Sequence, residues 1–172
     1  MAHRAGVTAL AITDHDITTG IEEAVTAGQG CGIEVIPGVE ISSIVGHSEL
    51  HILGYLLDWQ DSELNERLKS LRETRHRRNP RIIERLQALG IDITYEEVRV
   101  LAGTESVGRP HIARVLMDKH VVASAKEAFD RFLAEGKPAY VPRELPSPAQ
   151  AIHWIKSARG LAVLAHPTWV KT

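Results

Sequence analysis

The hydrophobic pattern of this chain changes its period several times, and each change marks an element. Residues 1–6 read as the last turn of a helix closed by Gly6, and the apolar run Ala9–Ile12 follows as the centre of a strand expected over Val7–Thr13. The run then stops abruptly at Thr13-Asp-His-Asp16. Thr18 or Thr19 can cap a helix to about Cys31, with Ile21, Ala24, Val25 and Gly28 on one face and Gly32 as its end. Ile33–Ile36 reads as a second strand, Pro37-Gly38 as a turn and Val39–Val45 as a third strand. After Gly46, Glu49–Leu57 completes a hairpin.

From Ser62 to Thr104 the spacing becomes helical: Leu64, Leu68 and Leu71, then Ile82, Ile83, Leu86 and Leu89. Pro80 is expected to kink or divide this segment, and Gly90 to end it. Thr94–Glu97 and Ser124–Glu127 are capping boxes, the second opening a helix to about Glu135. Ser106–Gly108 reads as a loop before a helix with Pro110 in its first turn, and Lys137–Val141 as extended chain. Ser147 and Pro148 start a last helix to about Ala158, and Leu161–Ala165 is a strand ending at His166. Strands with intervening helices predict an α/β fold. The expected layout is an α/β barrel portion over 1–58 and 147–172, with a mainly helical insertion over 59–146 in the same domain.

Composition narrows the chemistry. The 172 residues suit one domain, and a net charge of −2 imposes no global field toward nucleic acid or membrane. No apolar run approaches the roughly 20 residues that span a bilayer, and the N-terminus lacks the apolar core of a signal peptide. With one cysteine, Cys31, an intrachain disulfide framework and a cysteine-based zinc site are excluded. A cytoplasmic location is expected. Nine histidines against two Met and two Phe is the notable bias, since imidazole serves as metal ligand and proton carrier.

Three strands end in, or carry, groups suited to first-row divalent ions: His15, then Glu40 and His51 on the hairpin, then His166. Glu40 lies between Val39 and Ile41, where a carboxylate needs a salt bridge, hydrogen bonds or a metal. Taken singly, a histidine at a strand end is more often satisfied by backbone or solvent, and Glu40 could pair with an arginine. Spacing alone leaves both readings open. Between Arg67 and Arg85 eight Lys or Arg face two Glu, which is either a solvated helix face or an attractor for a phosphate-rich ligand.

The motifs Thr13-Asp-His-Asp16, Pro37-Gly-Val-Glu-Ile-Ser42, His51-Ile-Leu-Gly-Tyr55, Gly108-Arg-Pro-His111 and Leu164-Ala-His-Pro167 resemble those of the PHP (polymerase and histidinol phosphatase) family of metal-dependent phosphoesterases. They fall in the family's order along nearly the whole chain, with 25 positions from His15 to Glu40 and 11 from Glu40 to His51. Gly108-Arg-Pro-His111 makes the likeness greatest to the nucleotide-type branch, the 3′,5′-nucleoside bisphosphate phosphatases and 5′–3′ exoribonucleases. The resemblance implies a distorted (β/α)7 barrel, incomplete here, with a helical insertion. It makes His15, Glu40, His51 and His166 metal ligands, Glu40 bridging two ions, with two or three ions per complete site. Manganese is the expected ion, with zinc or iron as alternatives. Asp14 and Asp16 become orienting groups behind the ligands, Asp14 being also a catalytic candidate. Arg109 and His111 become catalytic and substrate-binding groups, Arg109 as a fork for phosphate and His111 as a donor to the leaving oxygen. The implied partner is a small phosphorylated nucleotide or a short RNA, with no membrane and no obligate protein partner.

The family's opening His-x-His and Asp and its late Asp-x-His are absent, so the chain resembles the middle of a PHP protein, truncated at both ends. That keeps open a non-catalytic binding or scaffold module, or an inactive fragment. The same core would also suit a histidinol-phosphate phosphatase.

Overall fold

The computed structural model describes residues 1–46, 48–103 and 107–167. The expected loop residue Ser106 lies outside them. The chain divides into two compact units, one of 1–71 with 145–172 and the other of 72–144.

In the first unit, a 3₁₀ turn at His3–Ala5 is closed by Gly6 in the left-handed conformation. Strand β1 (Ala9–Ile12) then pairs in parallel with β2 (Glu34–Val45) through the crossover helix α1 (Ile21–Cys31). Parallel neighbours require such a crossover. Helix α1 starts without the expected threonine cap: Gly20 is the N-cap, and the Thr18 hydroxyl instead donates to Asn65 Oδ1 at 2.7 Å. Strand β2 pairs antiparallel with β3 (Ser48–Tyr55), which pairs antiparallel with β4 (Leu161–Leu164). The sheet order is therefore β1-β2-β3-β4.

Pro37-Gly38 is not a turn. Both residues lie inside β2, where the strand changes partner: Pro37 is the last residue in register with β1 and Gly38 the first in register with β3. Proline has no ladder donor to lose there, and its carbonyl accepts from Leu56 N at 2.8 Å. Gly38 is needed because a Cβ would lie 2.8 Å from the Gly54 carbonyl oxygen and 2.9 Å from that of Ile12.

Alternation along β2 and β3 sorts the side chains onto two faces. Val39, Ile41, Leu50 and Ile52 join Leu64, Leu68 and Leu71 of helix α2 (Ser62–Ala88) and Ala151 and Ile155 of helix α6 (Pro148–Ser157) in one core. Glu40, Ser42 and His51 stand on the other face of the sheet.

The second unit has its own core around Ile82, Ile83, Leu86, Ile112, Leu116 and Leu133. Its elements are the remainder of α2, α3 (Tyr95–Ala102), α4 (Arg109–Asp118) and α5 (Ala125–Ala128), the last widening into a π-helical turn at Phe129–Leu133 rather than continuing regularly to Glu135. Pro80 does not divide α2, which runs through it. An interior proline costs about 3 kcal/mol. Burial of Ile82, Ile83 and Leu86, worth about 1.5–3 kcal/mol each, offsets that. The extended chain expected from Lys137 begins with a turn instead, closed by Tyr140 N donating to Lys137 O at 3.0 Å. Pro138 supplies the φ that its second position favours.

Candidate metal centre

The centre is assembled by backbone pairing that outlasts the strands. Beyond β1, His15 still bridges Glu40 in parallel register: Glu40 N donates to Asp14 O at 3.1 Å and Asp16 N to Glu40 O at 3.0 Å. Asp16 is wholly buried and adopts φ 58°, a conformation that Asp and Asn tolerate better than most residues. Its carboxylate accepts from Ser42 N at 2.8 Å and from Ser42 Oγ at 2.9 Å. These bonds clasp the ligand loop to the middle of β2. Asp14 is exposed, its Oδ2 3.8 Å from where a Cβ on Gly20 would stand, at the start of α1.

Ser42 stands opposite His51 in the β2–β3 register, so Glu40 and His51 are diagonal neighbours on one face. His166 arrives from the other side of β3. Ala165 N donates to His51 O at 3.0 Å, carrying the β3–β4 pairing past the end of β4 and turning His166 toward the other two.

The result is a tight convergence. Glu40 Oε1 lies 2.9 Å from His51 Nδ1 and 3.3 Å from His166 Nε2, and those two nitrogens are 3.0 Å apart. The second oxygen, Oε2, turns toward His15 Nε2 at 3.8 Å. The rings meet edge to face, His15 with His51 at 4.7 Å between centroids and His51 with His166 at 4.9 Å. Burial pushes the Glu40 carboxyl up. The His51 hydrogen bond, the charges of His15 and His51 and the His166 hydrogen bond together outweigh it, and hold the group below the usual carboxylate range.

These residues fit a divalent cation. One proton can satisfy one pair of the three converging atoms, whereas a cation satisfies all three at once. Separations of 2.9–3.3 Å are those of adjacent ligands about 2.0–2.2 Å from a first-row ion. His15, Glu40 and His51 form a cluster able to hold a metal ion, and the same Glu40 oxygen adds His166 to it.

Arg109 and His111 lie in the second unit, at the start of α4. Gly108 N donates to His111 Nδ1 at 3.0 Å, so the imidazole caps the helix from the third position, where a capping box has Glu or Gln. Burial, and then the charge of Arg75, hold the His111 pKa below its ordinary value. The Arg109 guanidinium lies 5.8 Å from the Phe129 ring centroid and donates to Leu133 O at 3.5 Å. Two contributors have no role assigned from sequence: Ser42, present only as the end of the motif Pro37–Ser42, and Arg75, present only in the basic run.

No family model matches the chain. Over 159 residues, 92% of this chain and 56% of the relative, it is 38% identical to a 3′,5′-nucleoside bisphosphate phosphatase of Chromobacterium violaceum. It is also 38% identical over 170 residues to a 5′-3′ exoribonuclease of Haemophilus influenzae, 97% of this chain and 62% of the relative. The chain is a homologue of these phosphoesterases. It spans about three fifths of their length. Among solved structures, an amidohydrolase of Chromobacterium violaceum with bound sulfate and no metal superposes with a TM-score of 0.92 at 35% identity, over 99% of this chain and 61% of that one. These homologues agree with the PHP resemblance carried by the motifs. Among the described residues, no helix is long and apolar enough to cross a membrane.

Proposed function

We propose that the chain forms the core of a divalent-metal phosphoesterase that acts on small phosphorylated nucleotides of the 3′,5′-bisphosphate type or trims short RNA ends. The observation that carries this reading is the convergence of His51 and His166 on one Glu40 oxygen while the other faces His15. The names of the relatives support the substrate class.

Under this reading His15, Glu40, His51 and His166 would hold the divalent ions. Manganese is the expected ion, zinc and iron are the alternatives, and a complete site takes two or three. A bound divalent ion supplies Lewis acidity toward phosphoryl oxygens and lowers the pKa of coordinated water. The chain's own residues do the remaining work. The depressed pKa of Glu40 keeps it ionised at neutral pH. Asp16 fixes the loop that carries His15 by its two bonds to Ser42, and Asp14, exposed at the start of α1, would be a second orienting or catalytic group. Arg109 would offer a planar fork for the substrate phosphate. His111 accepts at Nδ1, so its neutral ring carries the proton on Nε2, the atom that would donate to the leaving oxygen.

The architecture that goes with this chemistry is a distorted (β/α)7 barrel, with residues 1–58 and 147–172 as its barrel portion and 59–146 inserted, working in the cytoplasm. Manganese-dependent phosphate release from adenosine 3′,5′-bisphosphate tests the reading. The wild-type chain is expected to release phosphate, and Glu40→Gln to lower the rate by about a thousandfold or more, as removal of a bridging ligand should. Equal turnover by variant and wild type would sink the mechanism, and a preference for histidinol phosphate would replace the substrate class.

A further inference from the structure

Helix α2 brings two sets of side chains into the second unit. Thr74, Arg77, Arg78 and Arg81 fall at i, i+3, i+4 and i+7, along one face, and with Arg143 and Glu144 they line a cavity of about 300 Å³. Arg75 and Asn79, one turn apart at i and i+4, reach instead the chain that enters α4. The Arg75 Nη1 lies 3.7 Å from where a Cβ on Gly108 would stand. Asn79 Nδ2 donates to the Val107 carbonyl oxygen at 2.8 Å.

Asparagine is a costly choice at this position. It is a poor helix former, and a residue before proline is disfavoured in helical conformation, yet Asn79 stands inside α2 directly before Pro80. It is fully buried, and among the described residues its Oδ1 has no hydrogen-bond partner. A buried amide oxygen that has lost water and gained no donor destabilises the fold. Leucine, of similar size, would fill the same space without that loss. What asparagine adds is the Nδ2 donor, and the place of that donor is specific. The Val107 carbonyl and the Gly108 N–H belong to one planar peptide group. Asn79 holds its oxygen end, and at the other end Gly108 N donates to His111 Nδ1 at 3.0 Å. The two bonds run in sequence through the amide, from Asn79 to the imidazole, and bonds in such a chain polarise one another.

We infer that Asn79 is a positioning residue for His111, acting through the Val107–Gly108 peptide to hold the imidazole as an acceptor at Nδ1 with its proton on Nε2. The use of that proton in a reaction rests on the phosphoesterase reading, while the hold on the ring does not. Burial and the Arg75 charge favour the neutral ring, the form in which Nδ1 can accept. Asn79 supplies what neither gives, a fixed direction for the Gly108 N–H and through it for the ring.

The test compares the whole chain with its Asn79→Leu variant by nitrogen NMR in EDTA at pH 8, so that metal contributes nothing. Wild type is expected to show a scalar coupling across the hydrogen bond between Gly108 N and His111 Nδ1, the ring being identified by its loss in His111→Gln. In Asn79→Leu the coupling should fall by half or more. The Gly108 N–H should also exchange about fivefold faster, the effect of one net hydrogen bond, measured against the Leu116 amide inside α4. A staple that served stability alone would lower the melting temperature and leave the coupling of the folded protein intact. An unchanged coupling in the folded variant would therefore overturn the inference, as would its absence from wild type. Asn79→Ala, which removes bulk, gives the same reading should leucine prevent folding. In manganese-dependent phosphate release, Asn79→Leu should lower kcat about tenfold or more and leave KM within about twofold. It disturbs the proton donor and not Arg109, whose guanidinium meets Phe129 and Leu133. Loss of the coupling with kcat unchanged would overturn the positioning role in the reaction. A wild type that releases no phosphate would count against the phosphoesterase reading alone, and the coupling would still decide the hold of Asn79 on His111.

Discussion

The His–Glu cluster of the first unit and the arginine-lined cavity of the second are built in opposite ways. In the first unit each candidate ligand comes from a strand or from a loop still paired with one, so backbone hydrogen bonds fix its place: Glu40 by two bonds to the His15 loop, His166 by the Ala165–His51 bond. In the second unit the arginines extend from a helix face and one crossing segment, long side chains on a surface set by helical spacing. Metal ligation needs lone pairs to converge within a few tenths of an ångström, and a ladder provides that. A face of long side chains needs no such precision, and helical spacing is enough to set it. The cluster should therefore be sensitive to changes several bonds away from any ligand, and the arginine face tolerant of all but loss of charge.

Beyond the loss expected of Glu40→Gln itself, Asp16 is the largest lever on this difference. Asp16→Ala removes both bonds to Ser42 and puts Ala at φ 58°, where a residue with Cβ and no local polar partner is disfavoured by about 1 kcal/mol. With bonds to a carboxylate worth about 1.5–3 kcal/mol each before relaxation, the expected destabilisation is about 3 kcal/mol in urea denaturation without metal. Manganese affinity should fall with it, although Asp16 is no ligand. Asp16→Asn keeps one acceptor and the tolerance of φ, and should lose roughly half as much. If Asp16→Ala costs no more than a surface substitution, the backbone-clasp account of the cluster is wrong.

The two regions were also unequally legible in the chain. Ligand types and strand ends are local properties, so His15, Glu40, His51 and His166 could be singled out from short runs of sequence. The clasp could not, because Asp16 and Ser42 are 26 positions apart and their meeting depends on the parallel register of β1 with β2. Pro37-Gly38 misled for a related reason. Proline followed by glycine is a strong turn signal, and only the close approach of the Gly54 and Ile12 carbonyls explains a glycine in the middle of a strand. Pro80 does not divide α2 because propensity is weighed against burial that the sequence shows only as periodicity. In the second unit the basic run was plain, but its grouping was not: Arg143 comes from a segment 62 or more positions beyond Arg77, Arg78 and Arg81.

The glycine at the partner switch gives the next effect. Gly38→Ala places a methyl 2.8–2.9 Å from two backbone oxygens and a threonine methyl, contacts that cannot be relieved by turning one flexible side chain. The expected cost is about 2 kcal/mol, in the range of overpacked sites, with a matching fall in the urea midpoint. Because β2 carries Glu40 two residues further on, manganese affinity should drop more than stability alone explains. An Ala variant that binds manganese as wild type does would show that the ligands are placed by their own side-chain contacts and not by the ladder.

The smallest effect belongs to the second unit and concerns His111. Its imidazole accepts the Gly108 N–H only when neutral at Nδ1, and burial followed by the Arg75 charge favours that neutral form. The folded pKa is thus below the unfolded one, near 6.5. Between the two values the unfolded chain binds more protons, so stability rises with pH there. The His111 contribution is full above the unfolded value and is lost as pH falls through the folded one. His111→Gln supplies an acceptor at the same capping position without a proton to gain, so the variant should hold its stability at neutral pH and lose that part of the pH dependence. His111→Ala removes the cap as well and should cost about 0.5–1 kcal/mol at neutral pH, a difference that shrinks as the wild-type imidazole is protonated. Denaturation midpoints of the three proteins between pH 8 and 5 separate the two contributions. A Gln variant whose midpoints follow the wild-type curve would assign the acid sensitivity to another group, and would leave His111 as a cap with no titration of its own.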